Sequence, residues 1–198
     1  MKIGITGATG QLGRLVVKKL KQKVSADSIV ALVRNTQIAT ELGVEVREFD
    51  YTKPEKLVHS LHGIDKLLLI SSNQIGQRLT QHKAVIDAAK QAGVKQIVYT
   101  SILHADNSPM SLAAEHLGTE QAIKASGLVY TFLRNGWYTE NYTGSAKGAI
   151  EAGAFIGCAG DGKISSAPRI DFAEFRFAIL LERAHQIFHL IQIILHCF

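Results

Sequence analysis

The chain has 198 residues, 46% of them hydrophobic and 20% charged, which is enough to bury one good core with at most a small appendage. Its formal charge of +5 is dispersed among acids, and its one lysine cluster, residues 18–23, falls on an expected solvated helix face, so no basic stripe with interleaved aromatics speaks for nucleic acid. Cys158 and Cys197 are too few and too far apart for a disulfide framework or a metal site, no run supplies the ~20 apolar residues of a membrane span, and the first residues enter a strand pattern with no signal peptide, so a reducing cytoplasm is expected.

Residues 2–6 are a short apolar run that breaks at Gly7, after which Leu12, Leu15, Val16 and Leu20 share one face of a helix over 11–20. The alternation continues with a strand over 29–33, a short helix over 36–42, a strand over 44–49 and a helix over 54–61, with Pro54 at a favourable first-turn position. Strands at 66–70 and 96–100 flank a helix from about 78 to 92 that ends at Gly93. A further helix from about 112 to 125 stops at Gly127, and residues 128–133 make the sixth strand. Near-continuous Val/Ile/Leu runs between amphipathic helices predict strands covered on both faces, hence an α/β fold with a doubly wound parallel sheet. No internal repeat or low-complexity linker interrupts it. The tail differs: residues 174–198 contain no Gly, Pro, Ser, Thr, Asn or Asp, and 187–198 are mostly Ile, Leu, Phe and His without a polar face. Two readings stand for it, a buried C-terminal helix or a stretch not selected for this fold, as after a frame slip or premature end.

Gly7-Ala8-Thr9-Gly10-Gln11-Leu12-Gly13 sits between the first strand and the first helix, the context in which a glycine pattern carries meaning. The first glycine turns the chain, the second lets backbone approach a pyrophosphate, the third packs helix on strand, and the helix N-terminus faces the anion. About 20 residues on, where NAD enzymes place a carboxylate on the ribose 2′-hydroxyl, stands Arg34, and no Asp or Glu lies between residues 29 and 40. A guanidinium can fork onto a 2′-phosphate, which points to NADPH; the alternative is an exposed, solvating arginine. Asp50 and Tyr51 end the third strand, where they border either an adenine ring or an ordinary turn. Ser71 and Ser72 follow the fourth strand at the carboxyl edge of the sheet, the side on which ligands of such sheets bind.

These features, with the stretches Leu69-Ile70-Ser71-Ser72, Tyr99-Thr100-Ser101-Ile102-Leu103-His104-Ala105 and Leu133-Arg134-Asn135-Gly136-Trp137-Tyr138-Thr139-Glu140-Asn141-Tyr142, resemble the NmrA-like branch of atypical short-chain dehydrogenases over about residues 1–173. The resemblance implies a Rossmann domain over 1–150 that binds NADPH, followed by a smaller region closing over a quinone, of which 151–198 is an incomplete remnant with an atypical apolar tail. It implies that Gly7, Thr9, Gly10, Gln11, Leu12 and Gly13 line the pyrophosphate, Arg34 the 2′-phosphate, and Ser71 and Ser72 the ribose nearest the nicotinamide. Asn135, Trp137 and Tyr138 would border the nicotinamide and the substrate pocket, the two aromatics equally readable as core, and Arg169 would approach the cofactor from the region after Gly160-Asp161-Gly162-Lys163.

The departures matter too. No tyrosine has a lysine four residues on, as the acid of typical short-chain dehydrogenases would; Tyr130 has Arg134, but on a strand. His116 and Glu120, one turn apart on the helix where that pair would belong, read as a solvated helix pair. Quinone reduction without a strong protein acid is compatible with this, because the cofactor carries the hydride. A redox-sensing regulator, in which NADP occupancy alters a surface for a protein partner, is the rival reading, and an inert fragment is a third. The apolar end is expected to cover bare sheet or helix surface or to drive self-association.

Overall fold

The structure, a computed structural model, describes residues 1–157 and 160–181 and the backbone of residues 189–192. The chain opens with β1 (Ile3–Thr6) and α1 (Gln11–Leu20), then β2 (Ile29–Val33), a 3₁₀ turn over Gln37–Leu42, and β3 (Glu45–Glu48). It continues through α2 (Pro54–Ser60), β4 (Lys66–Leu69), α3 (Arg78–Gln91), β5 (Gln96–Ile102), α4 (Ser111–Ser126) and β6 (Val129–Asn135). Beyond lie the short β7 (Trp137–Tyr138), α5 (Glu140–Thr143), α6 (Ala146–Ala152), β8 (Ser166–Ala167), α7 (Arg169–Leu181) and β9 (His189–Gln192).

Seven strands form one sheet in the order β3-β2-β1-β4-β5-β6-β9, every neighbouring pair parallel, and β7 and β8 make a separate parallel ribbon. Six of the seven were expected. The seventh, β9, lies within the tail read as a single buried helix or as unselected sequence: the chain is helical to Leu181 and extended again at 189–192. Cys158, Cys197 and the side chains of the apolar run 187–198 lie outside the described residues.

The strands read as unbroken apolar runs because alternate residues enter two different cores. Ile29, Ala31 and Val33 of β2 face a core shared with Leu12, Val16 and Leu20 of α1 and Phe172, Ala173 and Leu180 of α7. Val30 and Leu32 face the other, shared with Leu57 of α2, Val85 and Ile86 of α3 and Ile123 of α4. The edge strand β3 is the exception, with Glu45, Arg47 and Glu48 along its length, a charged edge that discourages pairing with another chain. The order of strands reverses between β1 and β4, and the carboxyl ends on either side of that point are where such a sheet opens a crevice.

Candidate functional site

That crevice holds a cavity of about 610 Å³, reached from the loops after β1, β2, β3 and β4. Of the residues singled out in the sequence, it brings together Gly7, Thr9, Gly10, Arg34, Asp50, Tyr51, Ser71 and Ser72. Gln11, Leu12 and Gly13 stand just behind its wall as the first residues of α1, with the Leu12 side chain in the core.

The loop after β1 is held by its own backbone. Gly7 takes φ +59°, a conformation that costs an L side chain, and its carbonyl accepts the Gly10 N–H at 2.9 Å. Gly10 then caps α1 in an extended conformation, the Arg14 N–H returning to its carbonyl at 3.0 Å, while Arg14 Nε ties down the Thr9 carbonyl at 2.8 Å. A Cβ on Gly13 would come 2.7 Å from the Ala8 Cα and closer still to the Gly7 carbonyl, so only glycine lets the helix pack this tightly on the turn. Among the described residues no side chain caps α1, and no acidic residue stands in its first turn, so its open N–H groups and the positive end of its dipole are left for an anion.

Arg34, exposed after β2, makes no hydrogen bond or ion pair among the described residues. It lines the same cavity as the glycine turn and follows the strand paired with β1. The Asp50 carboxylate accepts the Thr52 N–H at 3.0 Å and the Thr52 hydroxyl at 2.8 Å; these bonds, with Lys53 and Arg34, hold it below the usual carboxylate range. Burial pushes the Tyr51 hydroxyl up to about 12, against a hydrogen bond with Thr6 and the field of Arg34.

The rim formed by Ser71 and Ser72 rests on groups that sequence reasoning missed. The Ser71 N–H donates to Thr100 Oγ1 at 2.8 Å, and the Ser72 N–H donates to His82 Nε2 at 3.0 Å. Arg78 Nε donates to the Ser72 carbonyl at 2.6 Å, and the Ser72 hydroxyl donates to Gln81 Oε1 at 2.8 Å. His82 is fully buried, and burial, with Arg78 and His116 nearby, pulls it down to about 3, so it is neutral. A signal for it existed: His82, Val85, Ile86 and Ala89 follow the i, i+3, i+4, i+7 spacing of a buried helix face.

Asn135, Trp137, Tyr138 and Arg169 gather separately, at the carboxyl end of β6, and do not line the cavity. Asn135 Nδ2 donates to the Tyr138 hydroxyl at 3.3 Å, the Tyr138 ring meets Phe172 edge-on at 5.1 Å, and the Arg169 guanidinium lies 4.6 Å over its face. Tyr138 is thus half-packed on the core, whereas Trp137 is 40% exposed. Beneath them Arg176, fully buried, donates to Asn135 Oδ1 at 2.6 Å and to the Phe172 carbonyl; its Nε has no partner among the described residues, and burial lowers the guanidinium to about 10.

The expected solvated pair on α4 is corrected by the packing. Both residues are buried. The Tyr99 hydroxyl meets His116 Nδ1 at 2.7 Å. Glu120 takes a fork from Arg134 at 2.9 and 2.8 Å and the Ser101 hydroxyl at 2.6 Å. Among the described residues no cluster of His, Cys, Asp and Glu has metal-holding geometry, and no helix is long and apolar enough to cross a membrane.

A doubly wound parallel sheet with an uncapped, glycine-opened helix at its switch point and an exposed arginine after the second strand defines a dinucleotide-binding α/β protein. The comparison with known families agrees, the NAD(P)H-binding family model matching residues 7–183. The chain belongs to that family. It is 54% identical over 187 residues to quinone oxidoreductase 2 of Escherichia coli, covering 93% of this chain and 65% of that protein. The crystal structure of the NADPH-dependent quinone oxidoreductase of Escherichia coli complexed with NADPH superposes with a TM-score of 0.88 at 55% identity, over 92% of this chain and 66% of that one. The Citrobacter triphenylmethane reductase complexed with NADP(H) superposes with a TM-score of 0.90 at 41% identity, over 94% and 67% respectively. The chain thus spans a little under two thirds of the length of the first relatives it matches. The regulator reading finds no support in these proteins, all of which are oxidoreductases or reductases by name.

Proposed function

We propose that this chain binds NADPH in the crevice at the switch point and belongs to the chemistry of quinone reduction. The observation that carries the reading is the Arg34 guanidinium, without a hydrogen bond or ion pair among the described residues, on the same cavity as the uncapped N-terminus of α1: two separate anion-seeking features match a nucleotide with a pyrophosphate and a 2′-phosphate. In this reading the turn from Gly7 through Thr9 and Gly10 to Gln11, Leu12 and Gly13 binds the pyrophosphate through its amides. Arg34 binds the 2′-phosphate, Asp50 and Tyr51 border the adenine, and Ser71 and Ser72 border the ribose nearest the nicotinamide. Asn135, Trp137 and Tyr138, gathered outside the cavity, border the nicotinamide and the quinone, and Arg169 approaches the cofactor from the same cluster. The bound cofactor supplies a hydride, the quinone takes it with one proton to become a hydroquinone, and the protein's part is orientation.

The test is a titration with both nicotinamide cofactors. NADPH binds more tightly than NADH by about 1.5–3 kcal/mol, the worth of a charge-assisted bond, and Arg34→Ala removes the difference. Equal dissociation constants in the wild-type chain would sink the assignment.

We read residues 1–150 as the nucleotide-binding unit and 151–198 as part of the substrate side, in a protein of the cytoplasm. Support for a weak substrate side comes from exposure: Ile150, Phe155 and Ile156 stand in solvent with Trp137, where a quinone needs a dry, shaped wall. Quinone-dependent NADPH oxidation by this chain is therefore expected well below about 10 per second, the turnover of an ordinary enzyme. A rate above that, on a preparation whose NADPH affinity has been titrated, would show the site to be complete. The same exposed apolar side chains favour self-association, read out as a concentration-dependent mass in sedimentation.

A further inference from the structure

We propose that His82 is a positioning residue for this site: as a neutral imidazole in one fixed tautomer, it sets the backbone of Ser72 and so the rim that Ser71 presents to the cavity. The inference rests on the dinucleotide reading above.

The tautomer follows from the donors. A backbone N–H can only donate, so His82 Nε2, 3.0 Å from the Ser72 nitrogen, must carry a lone pair. The ring proton is then on Nδ1 and points to Thr119 Oγ1 at 3.1 Å. Thr119 is free to accept it, because its own hydroxyl proton goes to the Glu115 carbonyl at 2.8 Å. Each link has one hydrogen and one direction, from Ser72 through the imidazole to α4. Turning the ring over by 180° would keep its edge-on contacts with Tyr51 at 6.2 Å and Tyr99 at 5.4 Å but would lose both hydrogen bonds, so these bonds fix the orientation.

One helix face holds every polar group of Ser72. Arg78, Gln81 and His82, spaced i, i+3, i+4 on α3, take its carbonyl, hydroxyl and N–H respectively, and the hydroxyl also accepts the Gln74 N–H at 3.2 Å. Glu115 anchors Arg78 at 3.3 Å and takes the Gly76 N–H at 2.9 Å, tying the loop to α4 a second time. Ser72 is therefore committed to the protein. The neighbouring Ser71 hydroxyl has no partner among the described residues, which makes it the hydroxyl of the pair offered to a ligand.

The experiment compares His82→Leu, which has similar bulk and no acceptor, with His82→Gln, whose Oε1 reaches where Nε2 was. Affinities for NADPH and NADH are titrated, and Ser72 amide exchange and the His82 ring nitrogen shifts are followed by NMR. His82→Leu is expected to weaken both cofactors about tenfold with the NADPH-to-NADH ratio unchanged, and to speed Ser72 amide exchange at least about tenfold, while His82→Gln stays within about threefold of wild type on every measure. A folded His82→Leu variant with wild-type affinities would overturn the proposal, as would a glutamine variant as impaired as the leucine one. Should His82→Leu fail to fold, the wild-type spectrum still decides, since a protonated Nε2 above pH 5.5 contradicts the tautomer. A wild-type chain that binds neither cofactor defeats the dinucleotide reading alone; the Ser72 exchange rates then judge the role of His82 by themselves.

Discussion

Glu120→Ala is expected to lower the free energy of unfolding by about 3–5 kcal/mol, the cost of stripping one partner from a buried ion pair. Glu120 is wholly buried on α4 and its two oxygens take the fork of Arg134, a side chain only 5% exposed on β6. Removing the carboxylate leaves that guanidinium with Asp106 alone, at 3.1 Å and itself 61% exposed, and it also frees the Ser101 hydroxyl that Glu120 accepts. The exposed Asp106 offsets part of the loss, which favours the lower end of the range. Denaturant unfolding measures it, and the double variant Glu120→Leu with Arg134→Met should recover most of the stability, because an apolar pair of similar volume needs no desolvation. A single-variant loss under about 1 kcal/mol would mean that water reaches this pair.

Lowering the pH from 7.5 to 5 is expected to cost about 4 kcal/mol of stability through two buried histidines. Burial is the largest cause holding His82 and His116 down to about 3, with Arg78 adding to both and His116 to His82. Above pH 6.5 both states of the chain carry these rings neutral, so nothing is lost. As the pH falls below 6.5 the unfolded chain takes up protons that the folded one refuses, at about 1.4 kcal/mol per ring per pH unit, and the loss continues to about pH 3. The carboxylates near the site and at the strand ends, Asp50, Asp65, Glu45 and Glu48, are all held low, so the stability they add is lost mainly below pH 5, as the unfolded carboxylates take up protons. Urea unfolding at the two pH values checks this, and His82→Gln should remove about half of the loss. A flat profile between pH 7.5 and 5 would place both rings in contact with water.

What was legible in the sequence is what is local. The glycine turn, Arg34 after β2 and the two serines after β4 each announce themselves within a few residues of a strand end, and a doubly wound sheet brings all strand ends to one edge. The buried pair of Glu120 and Arg134 is legible only with the β5–β6 register, which sets Ser101 opposite Arg134. The partners of Ser72 come from α3, and α4 braces them in turn across as many as 37 residues, as between His82 and Thr119. The spacing of His116 and Glu120 suits a solvated pair equally well, and burial decided otherwise. The strand β9 escaped for another reason: an apolar run with no alternation has the same look whether it is a strand or part of a buried helix.

The interlocked turn before α1 also fixes when the chain surrenders its freedom. Ordering a residue's backbone costs roughly 1–2 kcal/mol. Here the Gly7 carbonyl already holds the Gly10 amide, and the bare Cα of Gly13 already presses against Ala8. That entropy is spent in folding, so a phosphate arriving later meets amides that have nowhere else to point. Its binding enthalpy is not drained by arranging the loop, and the affinity of the crevice becomes a property of the folded scaffold.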